Sequence, residues 1–438
     1  MERDTTMNNF DQLMEQWEQI AGQYTWNDPT YAKLAFHVYL GQIFREIRVF
    51  TIKGDPVPND GRISLLCIKP QGSGKGRMAD ALSRLSNITN TELRPPEQFR
   101  CRQVADWTYT GFVGTMILNQ ETKMWEQENG ELDIRETNIS ITNEASNFFD
   151  AKQPIYKTGI LNIILQTQTS IHSGEPDIYK KMALNRIHCR GHVSLFWTTR
   201  PTRDITAGHL QSGLFRRVLT YYDDVDIKQS WDTSISKLSG AETTSNDSDM
   251  RDIAAAVLKA REQNNQIEIG LSDEARSVLI GRFEYWKEQM LKLEKGGVSK
   301  DKIYTFKAIA EDYLKKGCVI GAHRALLDKR SALSKEDLKY GISIAETLIK
   351  SFGKLMAYTY NHDWTEAKRQ DEEEKQKLQV SMLKKGKKYT YADLVALFRD
   401  KEGLAKKQAD NRTAYMLRKM KASNSIIQND DGTYEVVG

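Results

Sequence analysis

Residues Ile63–Lys75 read ISLLCIKPQGSGK, and the rest of the chain is understood outward from them. The β-favouring residues Ile63, Leu65, Leu66, Cys67 and Ile68 form an apolar run that stops at Pro70. A flexible turn, Gln71-Gly72-Ser73-Gly74, follows, then Lys75 and the helical pattern MADALSRL. Strand, glycine turn, lysine and helix is the build of a phosphate-binding loop. Glycines let backbone N–H groups curl around an anion at a helix N-terminus, and the lysine adds a point charge. Gly72, Ser73, Gly74, Lys75, Gly76 and Arg77 are the candidate phosphate ligands. Two positions depart from the motif: Lys69 stands where its first glycine belongs, and Gly76 where a Ser or Thr would ligate Mg²⁺. Taken alone, GSGK also describes a surface turn.

Composition bounds the remainder. A chain of 438 residues has room for two to four domains. With 39% hydrophobic and 28% charged residues and a net charge of +4, it reads as a soluble protein. No apolar run is long enough for a transmembrane helix, and MERDTTMNNFDQLMEQW is too polar for a signal peptide. The four cysteines, Cys67, Cys101, Cys189 and Cys318, form no CxxC pair, and the seven histidines are scattered, so zinc and disulfide frameworks are not indicated. A cytoplasmic location is expected. The segment Lys384–Lys421 is locally basic, which points to an anionic partner there.

In chain order, residues 1–50 read as helices, with Phe10, Leu13, Met14, Trp17 and Ile20 at helical spacing. GDPVPNDG at 54–61 is a turn-rich lead into the first strand, and residues 77–86 form a helix. Thr110–Leu118 reads as an apolar helix or turn. Ile139 and Ile141 sit in a β-like run ending at Asn143-Glu144. Gly159–Thr167 is an apolar helix, and Ala183–Cys189 and Gly191–Thr199 read as strands, the second ending in Thr198-Thr199. LQSGLFRRVLTY places Arg216 and Arg217 in an apolar frame. A salt-bridged pair facing Asp223 and Asp224 is one reading of them, an anionic partner the other. Trp231–Gly270 is rich in Ser, Thr, Asn and Asp and reads as a linker. Residues 271–365 read as four helices, Arg276–Leu293, Ile303–Lys316, Gly321–Leu327 and Lys335–Phe352. After a charged connector at 371–375 come a helix ending near Lys384, the helix YADLVALFRD, a helix over Asn411–Lys421 and two strands around an Asp-Gly turn. Three helices and a hairpin describe a winged helix.

The order of glycine loop, Asn143-Glu144, Thr198-Thr199, SGLFRRV, helical region and basic tail resembles the AAA+ ATPases of phages, plasmids and mobile elements related to MCM helicases. It is most like their primase/helicase-associated branch. The likeness covers about residues 50–360 and, more loosely, the tail. It implies an α/β fold: an N-terminal helical segment (1–50), a P-loop AAA+ core (51–230), a linker and helical lid (231–365), and a charged connector with a winged helix (366–438). It also implies ATP and Mg²⁺ as cofactors. Lys75 would hold the β- and γ-phosphates, and Glu144 would orient the attacking water. Thr199 or Thr198 would act as first sensor, Arg217 would be the finger arginine reaching a neighbour's nucleotide, and Asn143 would support the metal through water. Lys307 or Arg324 would stand as second sensor. Lys180 and Lys181, read at a helix end, correspond to the place of a DNA-gripping hairpin. Arg412, Arg418, Lys419 and Lys421 would contact duplex DNA.

Gly76 and Asn143 both remove ligands from the same metal ion, while Lys75, Glu144 and Arg217 are retained. The reading that follows is an ATP-hydrolysing, ring-forming DNA motor of the replicative helicase type, a homo-oligomer with six subunits, a single DNA strand in its pore and no membrane association. Its rivals are an ATP-switched initiator or loader and a DNA-binding regulator with weak or no hydrolysis.

Overall fold

Leu65–Ile68 is buried along its whole length, as expected of a strand covered on both faces of a parallel sheet. The computed structural model describes residues 9–24, 28–51, 56–92, 98–104, 108–149, 159–182, 185–202, 204–224, 247–264, 268–362, 383, 387–402, 406–422 and 426–436. The chain divides into two compact units, residues 1–361 and 362–438.

The first unit opens with α1 (Asn9–Tyr24), α2 (Pro29–Ile43), β1 (Arg48–Val49), β2 (Leu65–Ile68) and α3 (Lys75–Glu92). Then come β3 (Cys101–Gln103), α4 (Tyr109–Val113), β4 (Gly114–Leu118), β5 (Trp125–Asn129), β6 (Ile139–Thr142) and α5 (Ile160–Thr167). They are followed by β7 (Asp177–Met182), β8 (Asn185–Arg190), β9 (Ser194–Thr199), α6 (Ala207–Gln211), α7 (Leu214–Arg217) and β10 (Leu219–Tyr222). The last elements are α8 (Asp247–Gln263), β11 (Glu268–Leu271), α9 (Asp273–Lys295), α10 (Lys300–Leu327), β12 (Ala332–Leu333) and α11 (Lys335–His362).

The fold is mixed α/β. Its central sheet is parallel with strand order β10-β2-β9-β6-β3. Leu65 lies opposite Leu219 and Phe196, and Ile68 opposite Tyr222 and Thr199. Thr142 lies opposite Trp197. The chain leaves β2 for the far edge, returns through β6 and β9, and then crosses to β10 on the other side of β2. Such a reversal leaves a crevice beyond the carboxyl ends of the strands, where open α/β sheets bind ligands. β1, β11 and β12 form a small second parallel sheet. β4–β5 and β7–β8 are antiparallel hairpins, joined where the Gln127 side chain pairs with the backbone of His188.

α2 is buried nearly all round, so it serves as a core helix. It and α1 share one continuous apolar core with the sheet and with α8, α10 and α11.

Four expectations are corrected. Residues 110–118 are a short helix and a strand. They divide at Gly114, whose φ of 106° and whose approach to Glu128 O, 2.5 Å from an added Cβ, only glycine accommodates. The Ser/Asn/Asp-rich stretch read as a linker contains α8 and β11; its acidic residues Asp247 and Asp249 occupy the first turn of α8, where they complement the helix dipole. The two helices read at 303–327 are one, α10. Gly317 and Gly321 do not break it but let α11 approach, with Gly341 so close that a Cβ there would stand 1.9 Å from Gly317 O. Lys180 and Lys181 lie on strand β7, not at a helix end.

The second unit contains β13 (Lys388–Tyr389), α12 (Tyr391–Glu402), α13 (Lys406–Ala422), β14 (Ile426–Gln428) and β15 (Tyr434–Val436). The strands form an antiparallel sheet in the order β13-β15-β14, around a core of Leu383, Tyr389, Leu394, Met416, Leu417, Met420 and Ile426. The acidic connector lies outside the described residues, as does the end near Lys384 of the helix expected before α12.

Candidate functional site

The glycine turn hangs from the end of β2 and feeds α3. Gly72 and Gly74 have φ of 82° and 74°, and a Cβ on Gly72 would meet nothing within 4 Å. Backbone handedness, not crowding, therefore calls for glycine at position 72. The first-turn amides of a helix have no intrahelical carbonyl, and α3 begins at Lys75, so its positive end faces out of the turn. Ser73 and Lys75 are 6% and 7% exposed. Two expected donors have partners already. The Arg77 amide donates to Gly74 O at 3.0 Å, and that of Ser73 to Pro70 O at 3.4 Å.

Lys69 is explained by what lies beneath the turn. Its side chain is 3% exposed, and its Nζ meets Asp28 Oδ2 at 2.5 Å and Asp223 Oδ2 at 3.2 Å. It lies within 6 Å of the Tyr31 and Tyr221 rings. Burial works most strongly against its charge, but Asp28, Cys67 and Asp223 together outweigh burial, so the ammonium is held above its ordinary pKa. Asp28 also accepts from Tyr221 OH at 3.0 Å and caps α2 through the Tyr31 amide at 3.0 Å. Tyr31 OH in turn donates to Lys75 O at 2.8 Å. Lys69 is thus a buried strut between α2, β10 and the turn. Asp28 and Tyr31, absent from the sequence reading, fix the turn from below. Asp28 followed by Pro29 is a helix-start pattern, and nothing local to it marks Lys69 as its partner.

β6 ends beside the turn. A Cβ on Gly76 would lie 3.9 Å from Asn143 Oδ1, and Glu144 follows, exposed. β9 lies between β2 and β6. Thr198 Oγ1 donates to Asn143 O at 2.8 Å, Thr199 Oγ1 to Arg200 O at 3.3 Å, and Thr199 O accepts from the Lys69 amide at 3.0 Å. The two threonines tie the carboxyl ends of three strands together, with both hydroxyls engaged by carbonyls.

Among the described residues, Ser73 Oγ, Thr142 Oγ1 and Asn143 Oδ1 are buried polar atoms without a protein partner. Such groups are costly unless something satisfies them. A glycine turn with a buried lysine suits a polyphosphate, with Ser73 and Lys75 as donors. A hydrated cation beside it would have Asn143 and Glu144 as its nearby protein oxygens, with no hydroxyl at Gly76.

The arginines lie elsewhere. α7 precedes β10, so Arg216 and Arg217 sit at the amino edge of the sheet, opposite the glycine turn. Arg216 pairs with Asp312 at 2.7 Å, not with Asp223 or Asp224; Asp224 pairs with Lys354 at 3.5 Å. Arg217 is half-buried, and its guanidinium donates to Gly213 O at 3.3 Å. Both line a cleft of about 230 Å³ with Lys315 and Lys316. Lys307 pairs with Glu311 at 2.9 Å, and Arg324 with Asp11 at 3.0 Å and Asp337 at 3.8 Å. Both second-sensor candidates are therefore engaged within their own chain. Lys180 Nζ lies 4.0 Å from the centre of the Tyr109 ring, and Lys181 pairs with Arg186 across the β7–β8 hairpin. Arg412, Arg418, Lys419 and Lys421 are on α13. Arg418 and Lys421 are exposed, and Lys421 Nζ reaches Gln428 Oε1 at 2.5 Å; the side chains of Lys181, Arg412 and Lys419 lie outside the described residues. Among the described residues no helix is long and apolar enough to cross a membrane. Compared with known proteins, the chain matches no family model and no curated sequence.

Proposed function

We propose that the chain is a P-loop ATPase of the AAA+ type that works as a ring of six copies, driving movement along DNA. One observation carries the reading. The glycine turn with Lys75, the Asn143-Glu144 pair and the Thr198-Thr199 end meet at the carboxyl ends of three adjacent strands, while Arg217 stands at the opposite edge. ATP, when bound with Mg²⁺, supplies the phosphoanhydride to be cleaved. Lys75, Ser73 and the amides of the turn hold its phosphates, and Asn143 supports the cation through water. Glu144 holds the proton of the attacking water. Arg217 serves the next subunit's site, which makes activity depend on assembly. The second unit, with exposed Arg418 and Lys421 on α13, is the duplex-binding element, a winged helix in this reading. Lys180 and Lys181, on a hairpin, face the translocating strand.

Gly76 and Asn143 favour a second reading, an ATP-switched initiator, loader or regulator with little turnover. The deciding experiment is ATP turnover of the parent, Glu144→Gln and Arg217→Ala at several protein concentrations, with and without single-stranded DNA. The motor reading expects DNA-stimulated turnover that rises with assembly and is lost in both variants. A parent that binds ATP yet turns over no faster than Glu144→Gln refutes it and leaves the switch.

A further inference from the structure

Two apolar surfaces of the first unit, one convex and one concave, face solvent. The convex one is the tip of the β4–β5 hairpin. Ile117, Leu118, Met124 and Trp125 are exposed there, Met124 to 67% and Trp125 to 58%. Leu118 and Trp125 stand opposite each other across the hairpin. The tip is held in shape by Asn119. Its amide donates to Met124 O at 2.9 Å, and its Oδ1 accepts from the amides of Glu121 and Thr122 at 2.9 and 3.2 Å. A knob fixed before contact loses little conformational freedom on binding.

The concave surface is a cleft of about 210 Å³ between α9 and α10, lined by Phe283, Trp286, Met290, Leu291, Ile303 and Tyr304 among others. Leu291 and Tyr304 are exposed. Small-molecule pockets begin at about 300 Å³, so this cleft is sized for one or two side chains of a polypeptide. Trp286 is 8% exposed, and its indole N–H has no acceptor among the described residues; a buried indole N–H ordinarily has one. The occupant that fits brings an apolar side chain with a carbonyl or carboxylate close to it. The hairpin tip has both, in Met124 and Trp125 and in the exposed Glu121 and the loop carbonyls.

Tip and cleft belong to opposite sides of the central sheet. Arg102 of β3, one outer strand, lies 3.9 Å from Glu131, two residues beyond β5. α10 covers the other outer strand, β10, whose Thr220 amide donates to Tyr313 OH at 2.8 Å. Four strand spacings of about 4.8 Å separate the two outer strands, so a tip meets its cleft on another copy. Glu311 and Leu314 of α10 line the apolar cleft, while Asp312, Lys315 and Lys316 line the cleft of Arg216 and Arg217. The two surfaces are therefore neighbours along one helix. We propose that the β4–β5 tip of one copy seats Met124 and Trp125 in the α9–α10 cleft of the next, head to tail. This rests on the head-to-tail assembly of the reading above and names its surfaces, but it does not depend on ATP cleavage. Repeated, a contact between two different surfaces closes into a ring or runs on as a filament.

The test is the mass of the intact chain by light scattering over a range of concentrations, with and without ATP and Mg²⁺. A tip variant carries Met124→Ser and Trp125→Ser, and a cleft variant Leu291→Ser and Tyr304→Ser. Trp286→Phe, which keeps the ring and removes the N–H, serves if the cleft variant unfolds; circular dichroism checks folding. The parent should assemble, and each double variant should need at least about thirtyfold more protein to do so, the loss expected of a buried aromatic anchor. Mixed in equal amounts, tip and cleft variants should pair through their one intact tip and cleft and stop at dimers. A parent that is monomeric throughout, folded variants that assemble like the parent, or a mixture that forms no dimer overturns the proposal. So does a tip variant that loses binding to a single-stranded oligonucleotide while assembling normally, because DNA is then the occupant. Assembly as expected without ATP turnover refutes the ATPase reading and leaves this contact standing.

Discussion

Gly76→Ser tests whether the missing metal ligand is a chemical departure or a steric necessity. Gly76 lies in the first turn of α3 and is not among the residues with positive φ. An added Cβ meets Asn143 Oδ1 at 3.9 Å, an ordinary contact, and nothing closer. Nothing in the backbone or its surroundings therefore requires glycine. Replacing glycine by serine in a helix gains about 0.5 kcal/mol. A hydroxyl that reaches the unpartnered Asn143 Oδ1 adds about 1 kcal/mol. The expected outcome is a rise in melting temperature of about 1–5 °C for a unit of this size. With ATP present, the Mg²⁺ concentration needed for half-maximal nucleotide binding should fall several-fold, and the double variant with Asn143→Asp should lower it further. Calorimetric melting and Mg²⁺ titration of a fluorescent ATP analogue read both effects. A variant that melts below the parent refutes the steric argument. Unchanged Mg²⁺ dependence in both variants refutes placing the cation beside Gly76 and Asn143.

Three further outcomes follow from buried groups and from α13. His323 Nε2 donates to Gly61 O at 2.8 Å, which leaves its Nδ1 to accept from His37 Nδ1 at 3.1 Å, while His37 Nε2 accepts from Tyr340 OH at 3.0 Å, so both rings are neutral. Burial lowers both pKa values, that of His323 from 6.5 to about 4; the unfolded chain then binds more protons, and His323 alone should remove about 3 kcal/mol of stability as pH falls from 6.5 through 4, a slope in urea unfolding that His323→Gln should flatten. Asp28→Ala should cost about 3–5 kcal/mol by leaving Lys69 buried with its longer contact alone, whereas Arg216→Ala, at an exposed pair, should cost at most about 1 kcal/mol; equal costs would overturn the strut. Arg418→Ala with Lys421→Ala should lower the log–log salt slope of duplex DNA binding by about 0.9 per lost contact, and an unchanged slope removes α13 from the DNA interface.

The parts legible in the sequence were those whose causes are local. The apolar run into Pro70 and the glycine pair marked β2, the turn and α3, because strand propensity, positive φ and helix start are properties of neighbouring residues. The run ending at Asn143 and the strand ending at Thr199 were legible for the same reason. What escaped depends on residues far apart in the chain. Lys69 looked like a defect in a motif until Asp28, forty-one positions earlier, and Asp223 were found around its ammonium. Gly317 and Gly321 looked like a helix break because their partner, Gly341, belongs to another helix. α8 was hidden because Ser, Asn and Asp favour both linkers and helix starts. The strand carrying Lys180 and Lys181 is set by pairing with β8, which short polar segments do not announce.

The position of Arg217 leads to a sharper test than loss of activity. β10 and β2 are parallel and in register from Leu219–Leu65 to Tyr222–Ile68, three steps that span roughly 10 Å. Arg217 precedes one end of this span, and Lys75 lies seven residues beyond the other. An arginine side chain at one edge cannot serve phosphates at the other edge of its own sheet. Either Arg217 only braces Gly213, or it completes a neighbour's site. In a ring of head-to-tail contacts, each interface would use Glu144 from one subunit and Arg217 from the next. Glu144→Gln and Arg217→Ala proteins, each inactive alone, should then complement when mixed. With equal, random mixing, an intact interface requires one parent residue from each variant, so about a quarter of the interfaces recover. Turnover of a mixture after exchange of subunits, measured against either variant alone, reads this directly. A mixture no more active than its components, with co-assembly verified by crosslinking, refutes the shared site. Arg217 would then be a structural residue of α7, and the glycine turn would have to act within a single chain.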